Sequence, residues 1–167
     1  YNKTKMIAER IIKSYEKDMK IFCIRPATVC GFSPRMRLDV SVNALTFQAL
    51  SKKIINVFGG SQVRPNIHIK DMIRVYIHFL TKKIKPGFYN AGFENLSILN
   101  LAKKIRKKIG CDIKITKSND PRSYRQNSKK LLKTGFKPKY FINDAIDDII
   151  YFYNKEKIKN HKIWFTV

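Results

Sequence analysis

The chain has 167 residues, 44% of them hydrophobic, which is enough apolar material to bury the core of one domain. Its net charge of +23 comes from 35 lysines and arginines that are spread through every segment, and this spread favours a solvated basic surface over a nucleic-acid-binding stripe. No apolar run approaches the roughly 20 residues that span a bilayer, so the sequence predicts no membrane span.

The spacing of hydrophobic residues predicts helices alternating with strands along the chain, an α/β pattern. In chain order, we predict a helix over residues 2–17, a buried strand over 20–30, a helix over 39–52, strands over 54–58 and 65–69, a helix over 71–83, a strand over 88–90, a helix over 98–109, a strand over 113–116 and a helix over 143–153. Neither a repeat nor a Gly/Ser linker interrupts them, so we expect one continuous piece.

Two helix starts carry specific expectations. Asp71 is placed to cap the helix over 71–83, and Ser97 to cap the helix over 98–109, which Gly110 ends. The residues of the helix over 71–83 that we expect to face inward are Met72, Val75, Tyr76, Phe79 and Leu80.

The three cysteines bear on metal binding and compartment. Cys23, Cys30 and Cys111 lack the spacing of metal ligands, so no metal site is indicated. An odd number of cysteines without a signal-like segment predicts reduced thiols and a cytoplasmic protein.

The first helix begins with Tyr1 and Lys5, which lie on one face because they are four residues apart. A phenol titrates near pH ~10 when unperturbed, so it serves as a base at neutrality only where a neighbouring cation favours its phenolate. Lys5 is such a cation, which makes Tyr1 a candidate acid/base. The alternative is a surface phenol beside a solvated lysine, and this pair alone does not separate the two.

Further motifs follow in order: R-P-A-T-V-x-G from Arg25, a helical Asn43, G-x-Q-x-R-P-x-I-H-I-x-D from Gly60, and F-Y-N-A-G from Phe88. With the initial Y-x-x-x-K, this series resembles the extended short-chain dehydrogenase/reductase family, in its NAD-dependent nucleotide-sugar epimerase/dehydratase branch. The resemblance implies a Rossmann-type doubly wound sheet with a small substrate-binding lobe.

The resemblance also implies how the chain divides. Residues 1–30 and 68–92 would return to the Rossmann sheet, while 31–67 and 93–167 would mainly form the lobe. The family's Gly-rich turn, ribose-binding acid and catalytic Ser or Thr precede the tyrosine, so we expect a carboxy-terminal fragment that lacks the cofactor-binding half. Uncovered sheet faces predict that it folds poorly and is inactive alone. The full-length enzyme is expected to be a homodimer through the Tyr1–Lys5 helix.

The resemblance assigns roles at the cofactor. Tyr1 would take a proton from a sugar hydroxyl as hydride leaves the same carbon for the nicotinamide. Lys5 would favour the phenolate and hold the nicotinamide ribose. Pro26, Ala27 and Thr28 would line the nicotinamide, with simple strand-end packing as the equal alternative.

Anion binding is assigned in the same way. Arg64 offers a forked guanidinium for the substrate diphosphate, and its alternative is an exposed strand arginine. Asn43 would add an amide donor. Arg122 is the second anion candidate, with Tyr124 and Arg125 left open as the actual contact.

Other polar residues are expected to be structural. His68 is expected to hydrogen-bond to backbone instead of serving as a catalytic base. Asp144, Asp147 and Asp148 lie in the first turns of a helix, where carboxylates complement the helix dipole.

The predicted function is therefore a NAD-dependent epimerase or dehydratase that acts on a nucleotide-diphosphate sugar through a keto-sugar intermediate, with NADP left open. One alternative is an NADPH-dependent reductase of a keto-sugar nucleotide that uses the same Tyr1 and Lys5. From a different class, the alternative is a basic nucleic-acid-binding module without catalysis.

Overall fold

The computed structural model describes residues 2–118, 120, 122–158 and 164. Its helices are α1 (Asn2–Ser14), α2 (Ser41–Lys52), α3 (Ile69–Thr81), α4 (Ile98–Ile109), α5 (Lys129–Leu132) and α6 (Ile142–Asn154). Its strands are β1 (Phe22–Pro26), β2 (Thr28–Cys30), β3 (Ile54–Phe58), β4 (Val63–His68), β5 (Gly87–Ala91), β6 (Glu94–Ser97) and β7 (Asp112–Thr116). The predicted α/β class is confirmed.

The strands pair in three groups. β1 pairs with β5 in parallel, and β3 pairs with β7 in parallel. The third group has β4 at its centre, parallel to β2 and antiparallel to β6. Parallel pairing needs crossover connections, which the intervening helices supply.

The segment predicted as one strand over residues 20–30 forms two strands, β1 and β2, which pair with different strands. β1 ends at Pro26, the Ala27 N–H donates to the Ala91 carbonyl at 2.8 Å, and the chain then leaves β5 to pair with β4 from Thr28 onward. Most of its side chains are only half-buried, so the expectation of a buried strand is wrong.

One apolar cluster, which we call the lobe core, lies between α2, α4, α6, β3 and β7. It consists of Cys30, Val42, Ala49, Ile55, Val57, Leu101, Ala102, Ile105, Cys111, Ile142, Ala145 and Ile146. Each helix contributes residues three or four apart, which is the spacing that places them on one face. Ser97 and Gly110 bound α4 as predicted, with the Ser97 hydroxyl accepting from the Asn100 N–H at 3.2 Å.

α1 and α3 lie on opposite faces of β1, and neither covers its face completely. On one face, Phe22 packs against Phe79 of α3 with ring centroids 5.4 Å apart. On the other, Arg25 pairs with Glu9 of α1 at 2.5 Å. The strand is therefore sandwiched between two helices, as in a doubly wound sheet.

Two predictions about α3 are wrong. Tyr76 and Leu80 are exposed, Leu80 by 85%, because the inward face is set by Met72, Val75 and Phe79. The helix cap is not Asp71.

The cap of α3 is His68, whose Nδ1 accepts from the Lys70 N–H at 3.0 Å. Asp71 lies in the first turn, fully buried, where it accepts from the N–H groups of Lys139 and Tyr140 and pairs with Arg74. Its carboxylate therefore fastens the segment before α6 to α3.

Within the described residues, no helix is long and apolar enough to cross a membrane. The same part of the chain contains no group of three or more His, Cys, Asp or Glu side chains arranged to hold a metal ion.

Candidate active site

The segment Pro26–Thr28 lies at the carboxyl ends of β1 and β5, which are adjacent parallel strands. Pro26 is exposed, and Ala27 and Thr28 are half-buried. Nucleotide ligands of open α/β sheets bind outside the carboxyl ends of the strands, so the predicted nicotinamide residues stand where such a ligand would bind.

Lys5 lies on α1, which has no buried residue and is joined to β1 by the Glu9–Arg25 pair. Its predicted partner Tyr1 lies outside the described residues. The Tyr1–Lys5 pair thus stays a prediction from the sequence.

The two predicted anion-binding arginines lie together although 58 positions separate them. Arg64 of β4 donates to the carbonyl of Arg122 and approaches the Asp120 carboxylate at 3.3 Å. Arg122 binds the same carboxylate through Nε at 2.7 Å and through a second nitrogen at 2.8 Å. The two guanidinium groups therefore share one carboxylate, which holds them side by side.

The aromatic ring of Tyr124 lies beside the arginine pair. The guanidinium of Arg64 lies 5.2 Å from the ring centroid of Tyr124, whose N–H donates to the Val63 carbonyl. Hydrogen bonds from Arg122 hold the pKa of Asp120 down at about 2, so this carboxylate stays charged throughout the physiological range. Arg64, Arg122 and Tyr124 are thus brought together, while Arg125 is an exposed residue of the next segment.

Asn43 lies at the start of α2 and is buried. Its amide oxygen accepts from the Gly31 N–H at 3.0 Å, and its amide nitrogen donates to the Arg37 carbonyl at 2.9 Å. These bonds fix the loop between β2 and α2, so in this arrangement Asn43 acts on backbone groups. Its predicted contact with substrate stays a prediction.

A polar cluster that no sequence motif predicts joins the carboxyl ends of β1 and β5 to β6. The Gln126 amide nitrogen donates to the Arg25 carbonyl at 3.0 Å, and Asn95 of β6 exchanges two hydrogen bonds with the Gln126 backbone. The Ser128 hydroxyl accepts from the Gly92 N–H and donates to the Gly92 carbonyl. The sequence does not predict these contacts, because residues 125–128 show no hydrophobic periodicity and match no motif.

Of the acidic residues expected at the start of α6, Asp144 lies in the first turn, whereas Asp147 and Asp148 lie further along and pair with Lys108 and Lys70. His68 binds backbone through Nδ1, as predicted, and its Nε2 lies 3.3 Å from the Asp148 carboxylate. Burial lowers the pKa of His68, and the Asp148 charge opposes that shift. Burial also raises the pKa of the Cys30 thiol to about 12, which leaves it unreactive at neutral pH.

Comparison with known proteins identifies the family. The family described as "NAD dependent epimerase/dehydratase family" matches residues 1–92, and the chain belongs to that family. A curated relative is 33% identical over 95 residues, covering 54% of this chain and 28% of its own length: dTDP-4-dehydro-6-deoxy-D-allose reductase of Streptomyces bikiniensis.

Solved structures of other proteins share the fold of this chain. UDP-N-acetylglucosamine 4-epimerase from Bacillus cereus has a TM-score of 0.80 at 20% identity, over 99% of this chain and 56% of that one. UDP-glucuronic acid 4-epimerase from Bacillus cereus, in complex with UDP-glucuronic acid and NAD, has a TM-score of 0.75 at 27% identity, over 91% and 52%. The predicted Rossmann-type fold and family are confirmed, and the chain spans about half the length of these structures.

The predicted cofactor, NAD, is confirmed at the level of the family, which is NAD-dependent. The residues at the carboxyl ends of β1 and β5 fit a nicotinamide, because Pro26 and Ala27 offer a small, uncharged and accessible surface to a flat ring. Gly92 beside them projects no side chain.

Proposed function

We propose that this chain is the carboxy-terminal part of an NAD-dependent epimerase or dehydratase that acts on a nucleotide-diphosphate sugar through a keto-sugar intermediate. The observation that carries the proposal is the convergence of Arg64 and Arg122 on one carboxylate, in a chain of this family. Residues 1–30 and 68–92 are assigned to the Rossmann sheet and the remainder mainly to the lobe.

Proton transfer is the task of the Tyr1–Lys5 pair. Tyr1 removes the proton of a sugar hydroxyl, and this avoids an alkoxide in the transition state. Lys5 favours the phenolate by its charge and holds ribose hydroxyls of the cofactor. Bound NAD supplies the hydride acceptor, and Pro26 and Ala27 orient the nicotinamide and exclude water from its face.

Substrate binding falls to the lobe arginines. Arg64 is largely shielded from solvent, and its fork binds two oxygens of a diphosphate by exchanging its present bonds to the Arg122 carbonyl and the Asp120 carboxylate. The many lysines add a general attraction for an anionic substrate. We propose that Asn43 adds an amide donor to the substrate from the start of α2.

A second candidate is reduction of a keto-sugar nucleotide with NADPH. It is favoured by the 33% identity to dTDP-4-dehydro-6-deoxy-D-allose reductase. The same Tyr1 would then donate a proton instead of removing one, so the two activities share their acid/base pair.

We further propose that the full-length enzyme is a cytoplasmic homodimer through α1, and that the present chain is inactive alone. The support is the apolar face of α1, on which Met6, Ile7, Ile11 and Ile12 are each about half exposed. An apolar surface of this kind is stabilised when another helix covers it.

The experiment offers uridine and thymidine diphosphate sugars, with NAD or NADPH, to the full-length protein and follows products by mass spectrometry. Conversion with NAD, without net consumption of cofactor, supports the epimerase or dehydratase, and stoichiometric oxidation of NADPH supports the reductase. Anisotropy of labelled oligonucleotides at 150 mM salt tests the nucleic-acid alternative in parallel. Submicromolar oligonucleotide binding, with no response to any sugar nucleotide or cofactor, would contradict the proposal.

A further inference from the structure

Gln126 connects two parts of the chain that are far apart in sequence. Its side-chain amide donates to the Arg25 carbonyl, 101 positions away, at 3.0 Å. Its backbone is held on the other side by Asn95, which accepts from the Gln126 N–H at 2.8 Å and donates to its carbonyl at 3.2 Å. Gln126 therefore joins the last residues of β1 to β6.

Close packing at Gly92 reinforces this connection. A Cβ at position 92 would lie 2.5 Å from the Ala27 Cβ and closer still to the Gln126 Oε1 atom. The φ of Gly92 lies outside the left-handed region, so backbone conformation does not require glycine there. The requirement arises from the side chains that occupy the space beside it.

Two residues that pack beside Gln126, Ala27 and Gly92, belong to the proposed nicotinamide surface. Arg25 precedes Pro26 and Ala27 directly, and Ala27 is both the residue against Gly92 and the donor to the Ala91 carbonyl. The Gln126 Oε1 atom is buried without a hydrogen-bond partner, so the amide is held by its nitrogen and by packing. Displacing the amide removes its hold on the Arg25 carbonyl.

We propose that Gln126 is a positioning residue for the nicotinamide, which holds the Arg25–Ala27 backbone in the position that the ring contacts. This inference rests on the proposed function, because it requires a bound nicotinamide. Gln126 acts through its hydrogen bond to the Arg25 carbonyl, and so through the backbone of residues 25–27. Gly92 is required because a larger residue would displace the Gln126 amide.

The test uses the full-length protein and NADH, whose reduced ring is uncharged and fluoresces when bound. Gln126→Glu keeps the size of the side chain and removes the donor, so we expect its dissociation constant for NADH to rise about three- to tenfold. Gln126→Ala and Gly92→Ala should raise it by at least as much. The dissociation constant for uridine diphosphate should change by less than about twofold, since Arg64 and Arg122 are untouched.

The matched control is Asn95→Ala, which loses the two bonds to the Gln126 backbone and leaves the bond to Arg25. It should lower the melting temperature but leave NADH affinity within about twofold of wild type. Wild-type NADH affinity in Gln126→Glu, or an equal loss in Asn95→Ala, would overturn the inference while leaving the proposed function intact. Absence of NADH binding by the wild-type protein would instead overturn the proposed function.

Discussion

The lobe and the sheet region differ in how completely their apolar side chains are covered. In the lobe core, residues such as Val42, Ile105 and Ile146 have no exposed surface at all. On α1 in the sheet region, Ile7 and Ile11 are 50% and 57% exposed. The lobe core is therefore closed by the described residues, whereas α1 exposes apolar side chains to solvent although a second buried cluster lies between α3 and β5.

The second uncovered surface lies between β1 and α3. It forms an open cavity of about 800 Å³ whose apolar lining includes Phe22, Ile24, Tyr76, Phe79 and Leu80. Both uncovered surfaces flank β1, which carries the proposed nicotinamide residues at its end. The proposed chemistry therefore depends on the region in which more apolar surface is exposed.

The largest expected effect is a loss of turnover, caused by a substitution at Tyr1 that leaves stability unchanged. Tyr1→Phe deletes only the proton-transfer group, and general acid/base catalysis contributes about 10² to 10⁴ in rate. We expect turnover of the full-length enzyme to fall by at least that factor, with NADH affinity nearly unchanged. Turnover within a factor of three of wild type would refute the role of Tyr1.

The next prediction compares a substitution in the lobe core with one on α1. The measured quantity is the free energy of unfolding of the 167-residue chain. Ile146→Ala creates a cavity in the closed lobe core and should cost about 2 to 5 kcal/mol. Ile11→Ala removes exposed surface and should change stability by less than about 0.5 kcal/mol. Urea titration followed by the fluorescence of the single, buried Trp164 provides the measurement. Equal losses in the two variants would show that α1 is covered in the isolated chain.

A smaller effect tests whether the lobe binds the diphosphate. Arg64→Ala should cost about 1.5 to 3 kcal/mol of substrate binding, the range for hydrogen bonds to charged groups. We expect the Michaelis constant for the nucleotide sugar to rise at least tenfold and kcat to change less, because the diphosphate is remote from the reacting carbon. The control is Arg106→Ala on the outer face of α4, and an unchanged Michaelis constant in Arg64→Ala would return Arg64 to a structural role.

Much of the fold follows from local sequence patterns. α4 was predictable because its apolar stripe, its Ser97 cap and its terminal Gly110 agree, and β3 because a short apolar run ends in two glycines. β6 was missed, since Glu94–Ser97 shows no alternation of apolar residues. Leu80 was misplaced because its helical spacing does not reveal which neighbours are present to cover it.

The candidate site was only partly predictable. Motifs identified Arg64 and Arg122 separately, and their shared carboxylate, Asp120, emerged from the folded arrangement. Gln126 had no signal, because its partner is a backbone carbonyl 101 positions away and any residue type has such a carbonyl. Contacts of this kind depend on tertiary structure alone.

The smallest expected effect concerns pH and the junction between the two regions, where His68 of β4 meets Asp148 of α6. Burial lowers the pKa of His68 below its ordinary value of 6.5, with Asp148, Asp144 and Asp71 opposing and Lys70 reinforcing the shift. Well above pH 6.5 His68 is neutral in both the folded and the unfolded chain, so it does not affect the free energy of unfolding. Below pH 6.5 the unfolded chain binds a proton at His68 that the folded chain does not bind, and stability is lost, by at most about 1.4 kcal/mol per pH unit.

His68→Asn separates this titration from the helix cap, since asparagine is also a good N-cap acceptor. We expect urea titrations at pH 7.5 and 5.5 to show a larger loss of stability at low pH in the wild type than in His68→Asn. If His68→Asn lost as much stability on acidification as the wild type, protonation of other groups would account for the pH dependence, and the junction would not be sensitive to pH through His68.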